Sequence, residues 1–283
     1  MRELTTRALR RLAREPNGRV SLLEHDSVSL LLKLGHAETE EVEAVRGNCL
    51  AAMLELGRDA HGRAALIGAG CVAQLVGTSA SEVEALQGPS LAALRGCMMQ
   101  KEGLEEAIAA GAISAMISLL AAAAPAVREH AALCLAALTV ELQEKQAART
   151  EGSIGKLVGL LKSEAAGEAE GETDRVLTAV LAALTSLTAD SDGKTEAVEL
   201  KAFDMLMPLL ERAVMLEMQG DMTYATCTQT VHLTKCITNV AEHPKGRKKL
   251  QPALQHLRPL TQSAEPLVAK HAESAVAVVT WKP

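Results

Sequence analysis

The chain has 283 residues, 48% of them hydrophobic, and a formal net charge of −6. That apolar content suffices for an extensive core, and the mild acidity argues against a general nucleic-acid binder, which carries a basic excess. Phe203, Tyr224 and Trp281 are its only aromatics, so Ala, Leu, Val and Met must do the packing. This suits helices approaching over small side chains, and no alternating Val, Ile, Thr, Tyr and Phe runs of a sandwich or barrel appear.

The N-terminus is basic at Arg2, Arg7, Arg10, Arg11 and Arg14 but lacks the apolar core of a secretory signal. Glu3, Glu15 and a match to the repeat described next speak against a transit peptide. The repeat is seen best at HAALCLAALTV, 130–140, led in by PAVRE at 125–129. Leu133, Leu135, Leu138 and Val140 recur there at helical spacing, so the stretch reads as a buried helix. Degraded copies are LRRLA at 9–13, CLAAML at 49–54, LAALRG at 91–96, LAALTSL at 181–187, TKCITNVAEH at 234–243 and KHAESAVAVV at 270–279.

A second marker follows five of the seven copies, read here as a glycine turn: PNGR at 16–19, HGR at 61–63, KEG at 101–103, DGK at 192–194 and PKGR at 244–247. Gly18 and Gly62 are 44 residues apart, and Gly62 and Gly103 are 41 apart. The longer interval to Gly193 holds two repeats, with QEKQ at 143–146 where a turn is missing. After each marker comes a short helix, then a break at a glycine or small residue (GAGCV at 68–72, GAI at 111–113, EGSI at 151–154), then a second apolar helix and the long third one. A period of roughly 40–47 residues with two or three helices per unit predicts an all-α, right-handed superhelical solenoid of the armadillo/HEAT class. About six repeats form one domain over 1–283, with approximate units 1–16 (partial), 17–58, 59–101, 102–142, 143–190, 191–243 and 244–283. Val42, Val83, Val127 and Val268 are expected to pack between units ahead of the third helices.

Two stretches depart from the period. At 163–174 the loop swells to SEAAGEAEGETD, expected as a solvated insertion, with a docking site for a basic partner as the other reading. At 211–224 the second helix of the fifth unit runs on. Met205, Met207, Met215, Met218 and Met222 of that helix and its extension are expected as core filling, with an adaptable partner surface as the other reading.

No P-loop, G-x-G-x-x-G, H-E-x-x-H or G-x-S-x-G occurs. The carboxylates come in solvated runs, so no enzyme, cofactor or metal site is expected. The six cysteines form no C-x-x-C pair; Cys49, Cys134 and Cys236 lie in the repeated helix and are expected as reduced core thiols. Ala107 to Ala126, the longest apolar-looking stretch, is too weakly hydrophobic to span a membrane. The candidate contacts with protein partners are polar positions on the third helices and their lead-in loops, expected to be exposed: Arg46, Arg128, His130, Lys235, Asn239, Lys270 and His271. His130 and His271 are equivalent in two repeats. The basic run Lys245, Arg247, Lys248 and Lys249 is a further candidate, for an acidic partner.

EGSIGKLVGLLKS at 151–163 and PAVREHAALCLAAL at 125–138 resemble the armadillo family closely. That resemblance implies a concave groove lined by third helices. The groove lacks the repeated tryptophans of nuclear-import receptors, and of their asparagines it keeps only Asn239. Nor does it match the strongly basic catenin type, with only scattered cations such as Arg46, Arg95, Lys101, Arg128, Lys235 and Lys270. A narrower resemblance lies in NGRVSLLEHD at 17–26, VRGNCLAAMLELGRDAHGR at 45–63 and AESAVAVVTWKP at 272–283, which are similar to the radial spoke head 14 homologue family of axonemal armadillo proteins. It implies a non-enzymatic subunit of the radial spoke in the axoneme of a cilium or flagellum, a cytoskeletal location, with spoke-core helices and neighbouring spoke proteins as partners. A cytoplasmic armadillo adaptor unrelated to cilia is the alternative.

Overall fold

The computed structural model describes residues 1–36, 38–165 and 172–282. Among these the secondary structure is helical with no strand, as an aromatic-poor, Ala- and Leu-rich chain requires. The chain divides into two compact units, 1–138 and 139–283.

The first unit opens with α1 (Arg2–Arg14). Three sets of three helices follow: α2 (Pro16–Glu24), α3 (Ser27–Leu34) and α4 (Glu43–Leu56); α5 (Ala60–Gly68), α6 (Cys71–Ser81) and α7 (Glu84–Cys97); α8 (Lys101–Ala109), α9 (Ala112–Leu119) and α10 (Pro125–Leu138). Within this unit the long helices α1, α4, α7 and α10 pack in series. Their inward faces are fully buried at Leu50, Met53, Leu91, Leu94, Leu135 and Leu138. Each such side chain contributes about 1.5–3 kcal/mol from leaving water.

The second unit repeats the plan. It contains α11 (Leu142–Thr150), α12 (Ser153–Ala165) and α13 (Glu172–Leu187), then α14 (Ser191–Glu199), α15 (Ala202–Gln219) and α16 (Tyr224–Glu242). The last set is α17 (Pro244–Lys249), a 3₁₀ turn at Gln251–Ala253 with α18 (Leu254–Leu260), and α19 (Pro266–Thr280). Here α13, α16 and α19 pack in series over Val180, Leu184, Leu233, Ile237, Val268 and Val279.

The periodic glycines are present for a different reason from the one expected. Gly18, Gly62, Gly103, Gly193 and Gly246 lie inside the short first helices, not in turns. A Cβ at these positions would stand 2.0, 1.8, 2.3, 1.9 and 2.1 Å from the carbonyl oxygens of Leu12, Leu56, Cys97, Leu187 and Val240. Each glycine therefore lets a first helix cross the end of the preceding third helix in backbone contact. Glu144 holds the corresponding place in α11, inside the QEKQ that broke the sequence pattern. The break between first and second helices is a left-handed residue: Gly70, Gly111 and Gly152 with φ of 75°, 78° and 74°, and Asp26 and Lys201 with φ of 49° and 55°. Glycine adopts this conformation without a Cβ clash; Asp and Lys are strained there.

Three further expectations need correction. Val127 and Val268 are buried, but Val42 and Val83 are 50% and 47% exposed. Both are N-caps with the chain still entering the helix, and the buried residues sit three places on, at Val45 and Leu86. Val140 lies beyond the end of α10 and is exposed. The methionines of the fifth unit are not fully buried: Met215 and Met218 are exposed in the last turns of the 18-residue α15, and Met205, Met207 and Met222 are half-buried. Of the acidic stretch, 166–171 lie outside the described residues. Its flanks are helical, and Glu164 is buried in α12.

Candidate protein-binding surface

Arg46 is not on the surface. It is buried in α4, its Nε 2.7 Å from Oε1 of Glu82 and its Nη2 donating to Oε2 at 2.9 Å. Its Nη1 donates to the carbonyl oxygens of Glu40 and Glu41, at 2.9 and 3.0 Å. A guanidinium fork is the one cation able to serve a carboxylate edge and two carbonyls at once. Arg128, at the equivalent place in α10, likewise donates to the carbonyls of Ala122 and Ala123, at 3.0 and 2.6 Å, and is half-buried.

Three of the five periodic glycines are followed by an arginine that does the same for the end of the preceding helix. Arg19 donates to Ala13 and Arg14, Arg63 to Gly57 and Arg58, and Arg247 to Ala241 and Glu242, all at carbonyl oxygens 3.0–3.3 Å away. These carbonyls have no partner in their own helix, so the cation satisfies them and complements the helix C-terminus. Arg46, Arg128 and Arg247 are thus committed to holding the repeats.

Arg247 also lies over the Trp281 ring, 4.4 Å from its centroid, beside a shallow cavity of about 410 Å³ lined by Glu242, Ala277 and Val278. Lys245, Lys248 and Lys249 of the same run are exposed on α17. Asn239 donates from Nδ2 to the carbonyl of Thr185 and the hydroxyl of Thr188, both at 3.1 Å. It tethers α16 to α13, so its amide group is engaged within the fold.

Among the polar groups not engaged in these clasps, the third helices of the second unit carry several basic ones. Lys235 of α16 and His271 of α19 are half-buried, Lys270 of α19 is exposed, and none makes an ion pair among the described residues. A fourth group, His232, escaped the sequence reading, which began the repeated helix two residues later at Thr234. The signal was present: His130, His232 and His271 each stand eight residues before the buried position that closes the stripe, Leu138, Val240 and Val279. His232 and His271 are therefore repeat equivalents on the adjacent helices α16 and α19. His130 lies half-buried on α10. Burial, then Lys235 and His271, lowers the pKa of His232; burial, then Lys235 and Lys270, lowers that of His271. Both imidazoles are held toward the neutral form.

Among the described residues no group of His, Cys, Asp and Glu is arranged to hold a metal, and no single helix is long and apolar enough to cross a membrane. The six cysteines are free thiols, all buried except half-buried Cys227. Burial pushes Cys49, Cys134 and Cys236 up to about 12, away from the thiolate chemistry of a nucleophile.

No protein-family model matches the chain, and no curated protein does. Solved structures do. An engineered protein of the Northeast Structural Genomics Consortium superposes with a TM-score of 0.77 at 20% identity, over 99% of this chain and 65% of that one. The designed armadillo repeat protein YIII(Dq)4CqI superposes at 0.71 and 20% identity, over 89% of this chain and 100% of the other. The fold is an armadillo-repeat solenoid. A third structure, designed armadillo repeat protein YIII(Dq.V1)4CPAF in complex with peptide (KR)4, matches at 0.69 and 19% identity over 89% of this chain and 99% of its own. In the second unit His232 and Lys235 lie on the third helix α16, and Lys270 and His271 on α19.

Proposed function

We propose that the chain is a non-enzymatic scaffold that binds protein partners along its third helices. The observation that carries this reading is the division of labour among its polar residues. The arginines clasp the repeats, while the third helices of the second unit leave a stripe of uncommitted polar groups on an armadillo frame. A designed protein of the same fold was solved holding a peptide, which supports the use of such a frame for an extended segment. Immobilised protein incubated with a library of peptides of varied charge tests it; retention of none would end the reading.

The finer proposal is a radial-spoke subunit in the ciliary or flagellar axoneme, with spoke-core helices and neighbouring spoke proteins as partners. It is supported by the strings at 17–26, 45–63 and 272–283. Gly18, Arg19, Gly62 and Arg63 within them serve repeat packing, so the remaining residues carry that likeness. Fractionation of ciliated cells decides it. A spoke subunit stays with demembranated axonemes and leaves in high salt or chaotrope. Recovery wholly in the detergent-soluble fraction leaves a cytoplasmic adaptor instead.

A further inference from the structure

Of the third helices in the second unit, α16 and α19 carry a set of basic side chains facing no acid. His232 and His271 stand at the same repeat position on packed neighbours, Lys235 lies one turn beyond His232, and Lys270 adjoins His271. The charged groups bearing on the two imidazoles are the two lysines and, for His232, the other imidazole. Four acids on the surrounding elements are engaged elsewhere. Asp174 of α13 is paired with Arg212, Glu242 of α16 with Lys194 of α14, Glu217 of α15 accepts the Ser263 hydroxyl, and Glu211 of α15 faces His256 of α18. Glu273 follows His271 by two residues, which turns it about 200° away around the helix. Nδ1 of His232 is buried without a hydrogen-bond partner among the described residues.

Four like-charged or chargeable groups gathered on one stripe cost stability by mutual repulsion unless a ligand supplies the opposite charge. From this charge complementarity we infer that the α16–α19 stripe docks an acidic protein segment, rich in Glu or Asp and lying along the third helices. The inference rests on the scaffold reading above and names its ligand class. The carboxylates would face Lys235 and Lys270 and stabilise the charged form of both imidazoles, so docking takes up protons and tightens as pH falls through the histidine range.

The test is fluorescence anisotropy of a short Glu-rich peptide, with Lys/Arg-rich and uncharged Ser/Gly peptides of equal length beside it, on the full chain. The expected result is preference for the acidic peptide, with affinity rising about tenfold from pH 8 to pH 6 and weakening with salt. Lys235→Glu with Lys270→Glu should weaken binding by about tenfold or more, each exposed contact contributing up to about fivefold before reversal. His232→Gln with His271→Gln should flatten the pH profile. Lys156→Glu with Lys162→Glu makes the same charge change at exposed positions of α12, away from the stripe, and should alter affinity less than about twofold. Exposed Lys270→Glu alone keeps the test alive should the double variant fail to fold. Preference for the basic or uncharged peptide overturns the acidic assignment and leaves the scaffold standing; an α12 variant as damaging as the α16–α19 one overturns the assignment of the site to α16–α19. Binding of no peptide overturns both.

Discussion

Gly62 stands so close to the carbonyl of Leu56 that a Cβ on it would lie 1.8 Å from the oxygen. The contact joins the second residue set's first helix to the third helix before it, and four other glycines repeat it at the same place. A backbone contact of this kind leaves no flexible side-chain end to yield, so the helices themselves must separate to admit a methyl group.

Gly62→Ala should therefore destabilise the first unit by about 3 kcal/mol. Gly77→Ala, inside α6 where a Cβ meets nothing within 4 Å, should stabilise it by about 0.5–1 kcal/mol through helix propensity. Urea midpoints of the two variants move in opposite directions; equal shifts would show that the close crossing has no energetic content.

The Arg46–Glu82 pair is buried on both sides, the side chains 9% and 4% exposed. Arg46→Met should cost about 3–5 kcal/mol by leaving the carboxylate and two carbonyls without their donor. Adding Glu82→Met should restore much of that. Thermal unfolding of the two single variants and the double variant reads the coupling directly.

Register on the third helices is open to the same treatment. Leu135→Ala, at a fully buried site, should cost about 2–5 kcal/mol. Val45→Ala should cost about 2 kcal/mol, whereas Val42→Ala, half exposed, should stay within about 0.5 kcal/mol of the parent. Comparable losses at Val42 and Val45 would contradict the placement of the N-cap.

Two N-cap aspartates set an acid limit. Asp59 accepts the Gly62 amide, and then Arg19, which hold its carboxyl below the ordinary carboxylate range. Burial pushes Asp190 up, but the amides of Gly193 and Asp192 and the Arg149 guanidinium outweigh it and leave it lowered. A depressed carboxylate stabilises the fold above its unfolded pKa, about 3.9, and that contribution disappears as pH falls through the folded value. Unfolding followed from pH 5 downward should lose stability below about pH 4, and Asp59→Asn with Asp190→Asn should shrink that loss.

The fold class, the three-helix unit and the count of repeats were readable from local strings, because each repeat must solve the same packing problem with the same residue types. The periodic glycines were also visible, yet their role was not. A glycine after an apolar helix reads as a turn when its neighbour across space is unknown. Arg46 failed for the same reason: an arginine beside polar residues reads as exposed until Glu82, 36 residues away, is seen to reach it. His232 was missed because its helix begins earlier than its most repeat-like string.

The linear pattern by itself determined that this protein is a stack of helical repeats with an aliphatic core and no motif for catalysis. Hydrophobic periodicity is a property of neighbours along a helix and needs no third dimension. Only the tertiary structure decided which polar residues are spent on the fold and which are left for a partner. That allocation depends on carbonyls and carboxylates 5 to 54 residues distant in sequence, brought into reach by packing alone. The arginines went to the clasps, and the basic stripe of α16 and α19 was left uncommitted.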